Sequence, residues 1–154
     1  MRSLSGKLVS FIIVGIAVSV VGIVSAASAT TSPPTADMAV TSMRASATSA
    51  THGSVITFTE VIRNNGPETV EMDARPQISG GVLVTETCDL GISPDTPFCE
   101  YGFIEPNISL TTRYRVRVTA TQGAVVVKGG VSTEEPELDD DPFNQFRTAS
   151  VRVG

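Results

Sequence analysis

The chain has 154 residues, of which 41% are hydrophobic and 18% charged, and 16 acidic residues against 11 basic ones give it a net charge of −5. This acidic balance argues against nucleic acids and anionic membrane surfaces as partners, because both attract proteins of the opposite charge. The length allows one domain with a single hydrophobic core.

The N-terminal segment has the pattern of a secretory signal peptide. Arg2 and Lys7 precede an apolar run, Leu8–Val24. Small residues follow at Ala27–Ala29, which predicts cleavage after Ala29, with cleavage after Ala26 or Ala27 as alternatives. An uncleaved membrane anchor is the alternative, since an apolar run of 17 residues is at the lower limit for a membrane span.

Three segments follow from this pattern: a signal peptide at 1–29, a Pro/Thr/Ser spacer at 30–35 and a folded domain at 36–154. Cleavage removes two basic residues, which leaves 9 basic against 16 acidic residues and a net charge of −7. We expect a protein that is secreted or held at the cell envelope, and that contacts the membrane only if the segment stays uncleaved.

Beyond the spacer, apolar and polar residues alternate, and turn-forming clusters of Gly, Pro, Asn, Asp and Ser separate the alternating runs. This pattern predicts an all-β sandwich of seven or eight short antiparallel strands. The expected strands are Asp37–Met43, Ser54–Arg63, Thr69–Ala74, Val82–Glu86, Phe98–Phe103, Ser109–Ala120, Ala124–Val131 and Phe146–Val153.

The strand expected at Ser54–Arg63 contains one acidic residue out of place. Strict alternation puts Glu60 on the same side as Phe58 and Ile62, and a buried, unpaired carboxylate is costly. We therefore expect a bulge, or a position near the rim, that lets Glu60 reach solvent. The strand ends at Asn64–Pro67, whose residues favour a corner in which Gly66 can adopt a positive φ.

The strand expected at Ser109–Ala120 has the most regular alternation in the chain. It places Arg113, Arg115 and Arg117 on the outer side of a sheet. Such arginines can bind a carboxylate polymer or an acidic edge of a partner. The more common arrangement, which we expect here, pairs them with acids on the neighbouring strand.

Cys88 and Cys99 are the only cysteines, and both lie in the exported part of the chain. A pair at this spacing in an oxidising compartment predicts one disulfide. A zinc site is the alternative, but two thiols and the single histidine, His52, do not complete a tetrahedral shell.

The order of these motifs resembles the conserved-repeat domain of bacterial and archaeal cell-surface proteins. The matching residues are Ala36, Asp37, Val40, Gly53, Phe58 and Asn64–Pro67, followed by "YGFIEPNISLTTRYRVRV" and the closing "DDDPFNQFRTASVRV". The resemblance covers Ala36 to Val153 and implies an immunoglobulin-like sandwich that acts as a spacer or adhesive module outside the cell. In many members of the family a cysteine pair lies where Cys88 and Cys99 lie.

Catalytic and metal signals are weak. His52 is expected in an exposed turn with no paired nucleophile, and no cofactor motif is present. The acidic loop that contains Asp139, Asp140 and Asp141 has enough oxygen ligands for Ca²⁺, but it lacks an EF-hand spacing and is expected to be solvated. An internal Lys–Asn isopeptide bond would require Lys128 beside a buried acid such as Glu60.

The sequence as a whole favours a secreted or cell-envelope module that is structural or adhesive and not an enzyme. The expected partner is an envelope protein, an extracellular protein or a wall polymer. An exported inhibitor or ligand-binding domain that presents the loop between Cys88 and Cys99 is the alternative.

Overall fold

The computed structural model describes residues 35–90, 99–132, 138–139 and 141–154, all within a compact unit that spans residues 32–154. The predicted signal peptide, and the spacer up to residue 34, lie outside the described residues, so cleavage and export stay predictions. Within the part of the chain that the structure describes, no helix is long and apolar enough to cross a bilayer.

The described residues form an all-β fold, as the alternation predicts. All eight expected strands are present, with ends that differ by a few residues, and four strands of two or three residues add to them. The strands are β1 Thr35–Ala36, β2 Met38–Ala45, β3 Ser49–Ala50, β4 Val55–Asn64, β5 Val70–Ala74, β6 Gln77–Ser79, β7 Gly81–Cys88, β8 Cys99–Ile104, β9 Ser109–Val118, β10 Gly123–Ser132, β11 Leu138–Asp139 and β12 Phe146–Val153.

The strands form an immunoglobulin-like sandwich of two sheets. One sheet has the order β2-β4-β9-β7 and is antiparallel throughout. The other has the order β3-β12-β10-β5-β8, with β6 beside β10 and β3 parallel to β12. A short parallel pair, β1 with β11, lies apart from both sheets.

The inward sides of the two sheets pack against each other in two hydrophobic clusters. In one cluster, Ile62 of β4 meets Met72 of β5 and Tyr101 of β8. In the other, Phe58 of β4 meets Val127 of β10. Alternate residues of each long strand therefore lie in the core, which leaves the residues between them for the outer surfaces.

The corner after β4 is locked by one buried side chain. Asn64 is fully buried, and its amide nitrogen donates to the carbonyls of Glu68 and Ile104 at 2.7 and 2.9 Å. Its amide oxygen accepts from the backbone N–H of Gly66 at 2.9 Å. Gly66 does not adopt a positive φ. It is required because a Cβ there would lie 2.7 Å from the backbone nitrogen of Asp37.

Glu60 is completely buried, so the expectation that it reaches solvent was wrong. β4 keeps strict alternation, and the bulge lies instead in β2, its neighbour. The Tyr114 hydroxyl donates to Oε2 of Glu60. The other oxygen faces Gly129, where a Cβ would lie only 2.3 Å away. The Tyr114 hydroxyl thus gives the Glu60 carboxyl group a hydrogen-bond donor, and the absence of a side chain at Gly129 leaves space for it.

Burial changes the protonation of this group. It raises the pKa of Glu60 to about 7, against an opposing effect of the Tyr114 hydrogen bond and with a further rise from the nearby Glu86. Oε1 of Glu60 has no hydrogen-bond partner among the described residues. The protonated form is therefore favoured in mildly acidic solution, because a neutral carboxyl is less costly to bury than a charged one.

Lys128 lies on the side of β10 that faces away from Glu60 of β4. Its neighbours Val127 and Gly129 point into the core, while the Lys128 ammonium lies 4.0 Å from the ring centroid of Phe146. The isopeptide bond that would require Lys128 beside Glu60 is therefore excluded.

Replacing Asn64 with Ala should destabilise the fold strongly. The change removes hydrogen bonds to the buried carbonyl of Ile104, to the part-buried carbonyl of Glu68 and to the buried N–H of Gly66, so the free energy of unfolding should fall by about 3 kcal/mol. Asn65→Ala is the matched control: Asn65 is exposed, and its replacement should cost less than about 0.5 kcal/mol. Urea unfolding measures both, and equal losses would contradict the assigned role of Asn64.

The stability of the fold should depend on the protonation of Glu60. Folded Glu60 keeps its proton to higher pH than unfolded Glu60, so stability is lost as pH rises from about 4.5 to about 7. The loss due to Glu60 should reach about 3 kcal/mol, and Glu60→Gln should remove that part, while Glu86, whose pKa burial raises to about 6, keeps a smaller dependence over the same pH range. Urea unfolding at pH 5 and pH 8 measures the effect, with exposed Glu100→Gln as the control. If Glu60→Gln keeps the wild-type dependence on pH, the explanation is wrong.

Candidate functional site

The outer side of the four-stranded sheet carries a row of exposed arginines. Arg113, Arg115 and Arg117 alternate along β9 and point away from the core, as predicted. Their cross-strand neighbours on both sides are threonines and valines. These neighbours are Thr59, Thr57 and Val55 on β4, and Thr87, Thr85 and Val82 on β7.

Two further arginines extend this row across the sheet. Arg44 of β2 is paired with Thr59, which is paired in turn with Arg113. Arg63 lies at the end of β4, and its guanidinium donates to Oδ1 of Asn107 at 2.9 Å. We call this surface, with Arg44, Arg63, Arg113, Arg115 and Arg117, the arginine face. It holds five of the nine basic residues that follow the predicted signal peptide.

No acidic residue shares this surface within the described strands of the sheet. The acids of these strands, Glu60 and Glu86, both point into the core. Across the described part of the chain, the ion pair found is Arg75–Asp73, at 3.1 Å. The expectation that acids on neighbouring strands pair with the three arginines of β9 was therefore wrong, because threonine and valine occupy those positions.

Sequence reasoning did not include Arg44, for an identifiable reason. Strict alternation from buried Val40 would place Arg44 in the core. A bulge between Val40 and Ser42 shifts the register by one residue and turns Arg44 outward. Arg63 could have been found from the sequence, since it continues the outward positions of β4.

The strand geometry sets the spacing of the positive charges. Residues two apart on a strand lie about 7 Å apart, and strands lie about 4.8 Å apart. The three arginines of β9 therefore form a line with regular steps, and Arg44 lies about 10 Å to one side of Arg113. Threonines of β4 and β7 lie beside Arg113 and Arg115 on both sides.

Cys88 and Cys99 form the predicted disulfide, with 6.1 Å between their Cα atoms. It joins β7 to β8, which are edge strands of the two different sheets. Oε1 of Glu86 accepts from the backbone N–H of Cys99 at 3.2 Å, and burial raises the pKa of Glu86 to about 6. Residues 91–98, most of the loop proposed as a recognition element, lie outside the described residues.

The proposed calcium residues are only partly described, since Asp140 lies outside. Asp139 accepts hydrogen bonds from the backbone N–H groups of Met38 and Asp141 and from the side chain of Gln145. Asp141 accepts from the backbone N–H of Phe143. These carboxylates act as acceptors that shape their loop, and calcium binding stays a prediction.

His52 lies in an exposed turn, as expected. Its Nδ1 is 3.2 Å from the carbonyl oxygen of Thr119, a contact that ties the turn to the end of β9. Its role in the described structure is therefore to join two adjacent loops.

Comparison with known proteins identifies the fold. No family model matches the chain, so the resemblance to the conserved-repeat family is not supported by such a match. No curated protein sequence matches the chain. The solved structures that resemble the chain include the crystal structure of a CARDB domain from Pyrococcus furiosus, described as a complex with di-metal ions. It has a TM-score of 0.56 and 16% identity, over 80% of this chain and 97% of that one.

The solution structure of the same archaeal domain gives a consistent result. It has a TM-score of 0.56 and 13% identity, over 78% of this chain and 96% of that one. The chain thus has the immunoglobulin-like fold of CARDB domains.

Proposed function

We propose that the protein is a non-enzymatic module that acts in adhesion or structural support at the cell envelope or outside the cell, and that it binds its partner through the arginine face. The observation that carries this proposal is the absence of acidic residues among the outward positions of β2, β4, β9 and β7. The exposed guanidinium groups of Arg113, Arg115 and Arg117 can pair with carboxylate or phosphate groups of a ligand.

The distribution of charge supports the proposal. The chain after the predicted signal peptide has a net charge of −7, yet most of its basic residues lie on one side of one sheet. A concentration of one sign against the net charge of the protein favours a partner of complementary charge at that surface. The arginines of β9 point to solvent, so this concentration of charge is not explained by packing of the core.

Two further observations fit an extracellular location. The N-terminal pattern is that of an exported protein. The disulfide between Cys88 and Cys99 is a bond that persists in oxidising compartments and is rare in the cytosol.

The crystal structure of the archaeal domain is described as a complex with di-metal ions. One group of three metal-ligating side chains occurs in the described part of the chain: Glu86, Cys88 and Cys99. Its two sulfur atoms are bonded to each other, so they offer no thiolate.

Binding to the cell envelope tests this function. The exported form of the protein should sediment with isolated envelopes of the producing cells. A variant with Arg113→Gln, Arg115→Gln and Arg117→Gln should bind at least about tenfold more weakly, which corresponds to about 1.4 kcal/mol. The matched control is Arg152→Gln, which removes an exposed charge from β12 in the other sheet and should bind normally.

Circular dichroism and thermal unfolding should show that the triple variant remains folded, since its changes lie on the outer surface. Equal sedimentation of the wild type and the triple variant would contradict the role of the arginine face. Failure of the wild type to sediment would contradict the function itself.

A further inference from the structure

We propose that the arginine face binds a linear glycan that carries regularly spaced anionic groups, with the chain of the glycan running along β9. This inference rests on the proposed function and names the chemistry of its ligand. Four observations carry it: the linear arrangement of the arginines, the hydroxyl groups beside them, the absence of aromatic side chains and the absence of large apolar anchors.

The linear arrangement of the three arginines of β9 suits a linear polymer. The three arginines of β9 form a straight line with equal steps of about 7 Å, because the strand repeats every two residues. Arginine side chains are long and flexible, so guanidinium groups in such a line can meet successive charges of a linear polymer whose repeat is shorter or longer than this step.

The threonine hydroxyl groups beside the arginines suit a sugar chain. Thr57 and Thr59 lie on one side of the line, and Thr85 and Thr87 lie on the other. Each hydroxyl can donate and accept a hydrogen bond, as sugar hydroxyls require. Hydroxyl groups therefore flank the line of arginines on both sides, which suits a glycan that carries both anionic and hydroxyl groups.

The same surface is poorly suited to single-stranded nucleic acid. Proteins that bind nucleic acid single strands stack the bases on aromatic side chains, in addition to neutralising phosphates. The outward positions of the four described strands contain no aromatic residue. Phosphate contacts alone would leave the bases without a platform.

A folded protein partner is also disfavoured. Protein interfaces concentrate their binding energy in tryptophan, tyrosine and arginine anchors near the centre of the contact. Here the arginines are present without any aromatic anchor, and the exposed apolar residues Val55, Val82 and Val84 lie toward the Arg117 end of the line. The centre of the face thus lacks a hydrophobic anchor.

The net negative charge of the protein does not prevent this binding. At physiological ionic strength, charges are screened beyond about 8 Å, so a ligand on the arginine face interacts mainly with the arginines beneath it. Because these contacts are exposed to solvent, added salt should weaken them. Affinity should accordingly fall as sodium chloride rises from about 0.1 M to about 0.5 M.

Fluorescence anisotropy with labelled polymers tests the inference. The probes are polygalacturonate, whose charges are carboxylates, and dextran sulfate, whose charges are sulfates. Unmodified dextran is the neutral glycan, and an oligomer of deoxythymidine is an anionic polymer without sugar hydroxyls along its surface. The wild type should bind at least one anionic glycan, and bind it at least about tenfold more tightly than dextran or the oligonucleotide.

Three variants test whether the glycan binds at the arginine face. The change of Arg113, Arg115 and Arg117 to Gln should weaken glycan binding at least about tenfold, and Arg44→Gln should weaken it by about two- to threefold. Arg152→Gln should have no effect, since Arg152 lies on the other sheet. The relative affinities for polygalacturonate and dextran sulfate identify which anionic group is preferred.

Three results would overturn the inference: no binding to either anionic glycan, equal binding to the oligonucleotide, or full binding by the triple variant. If the triple variant loses binding to cell envelopes while neither anionic glycan binds to the wild type, the proposed function stands and the glycan assignment is wrong. If a glycan binds but envelopes do not, the chemistry of the face stands and the proposed function is wrong.

Discussion

The pairing of β4 with β9 is the contact on which both the core and the candidate site depend. The two strands pair without a register shift from Val55 with Arg117 to Arg63 with Ser109. Because side chains alternate between the two sides of a sheet, a slip of one residue would reverse every position on the slipped strand. Tyr114 would then face solvent, and the arginines of β9 would enter the core. One register thus determines both surfaces.

The same pairing explains how a buried acid is tolerated at the centre of the sandwich. In register with β9, Glu60 lies beside Thr112 and within reach of the Tyr114 hydroxyl. From the other sheet, Gly129 contributes no side chain at the position that faces the carboxyl group. The Glu60 carboxyl group therefore has neighbours from both sheets. The way the two sheets pack sets how deeply it is buried, and so its pKa.

The sequence predicted the features that depend on local patterns, and missed those that depend on register. Alternation located the eight main strands, and the cysteine count and spacing predicted the disulfide. Local alternation placed Glu60 on the inward side, but nothing local revealed the groups that accommodate its burial, because Tyr114 and Gly129 are distant in the chain. Arg44 was hidden by a bulge, and the neighbours of the β9 arginines became known only with the strand order.

The bulges in the outermost strands of the four-stranded sheet also bear on aggregation. β2 is irregular between Val40 and Ser42, and β7 is irregular between Leu83 and Thr85. A regular outermost strand is a template on which another chain can add a strand, and a bulge interrupts that template. The four-stranded sheet is thus protected against strand addition on both sides. A domain of this kind can reach high local concentration without polymerising through its sheet.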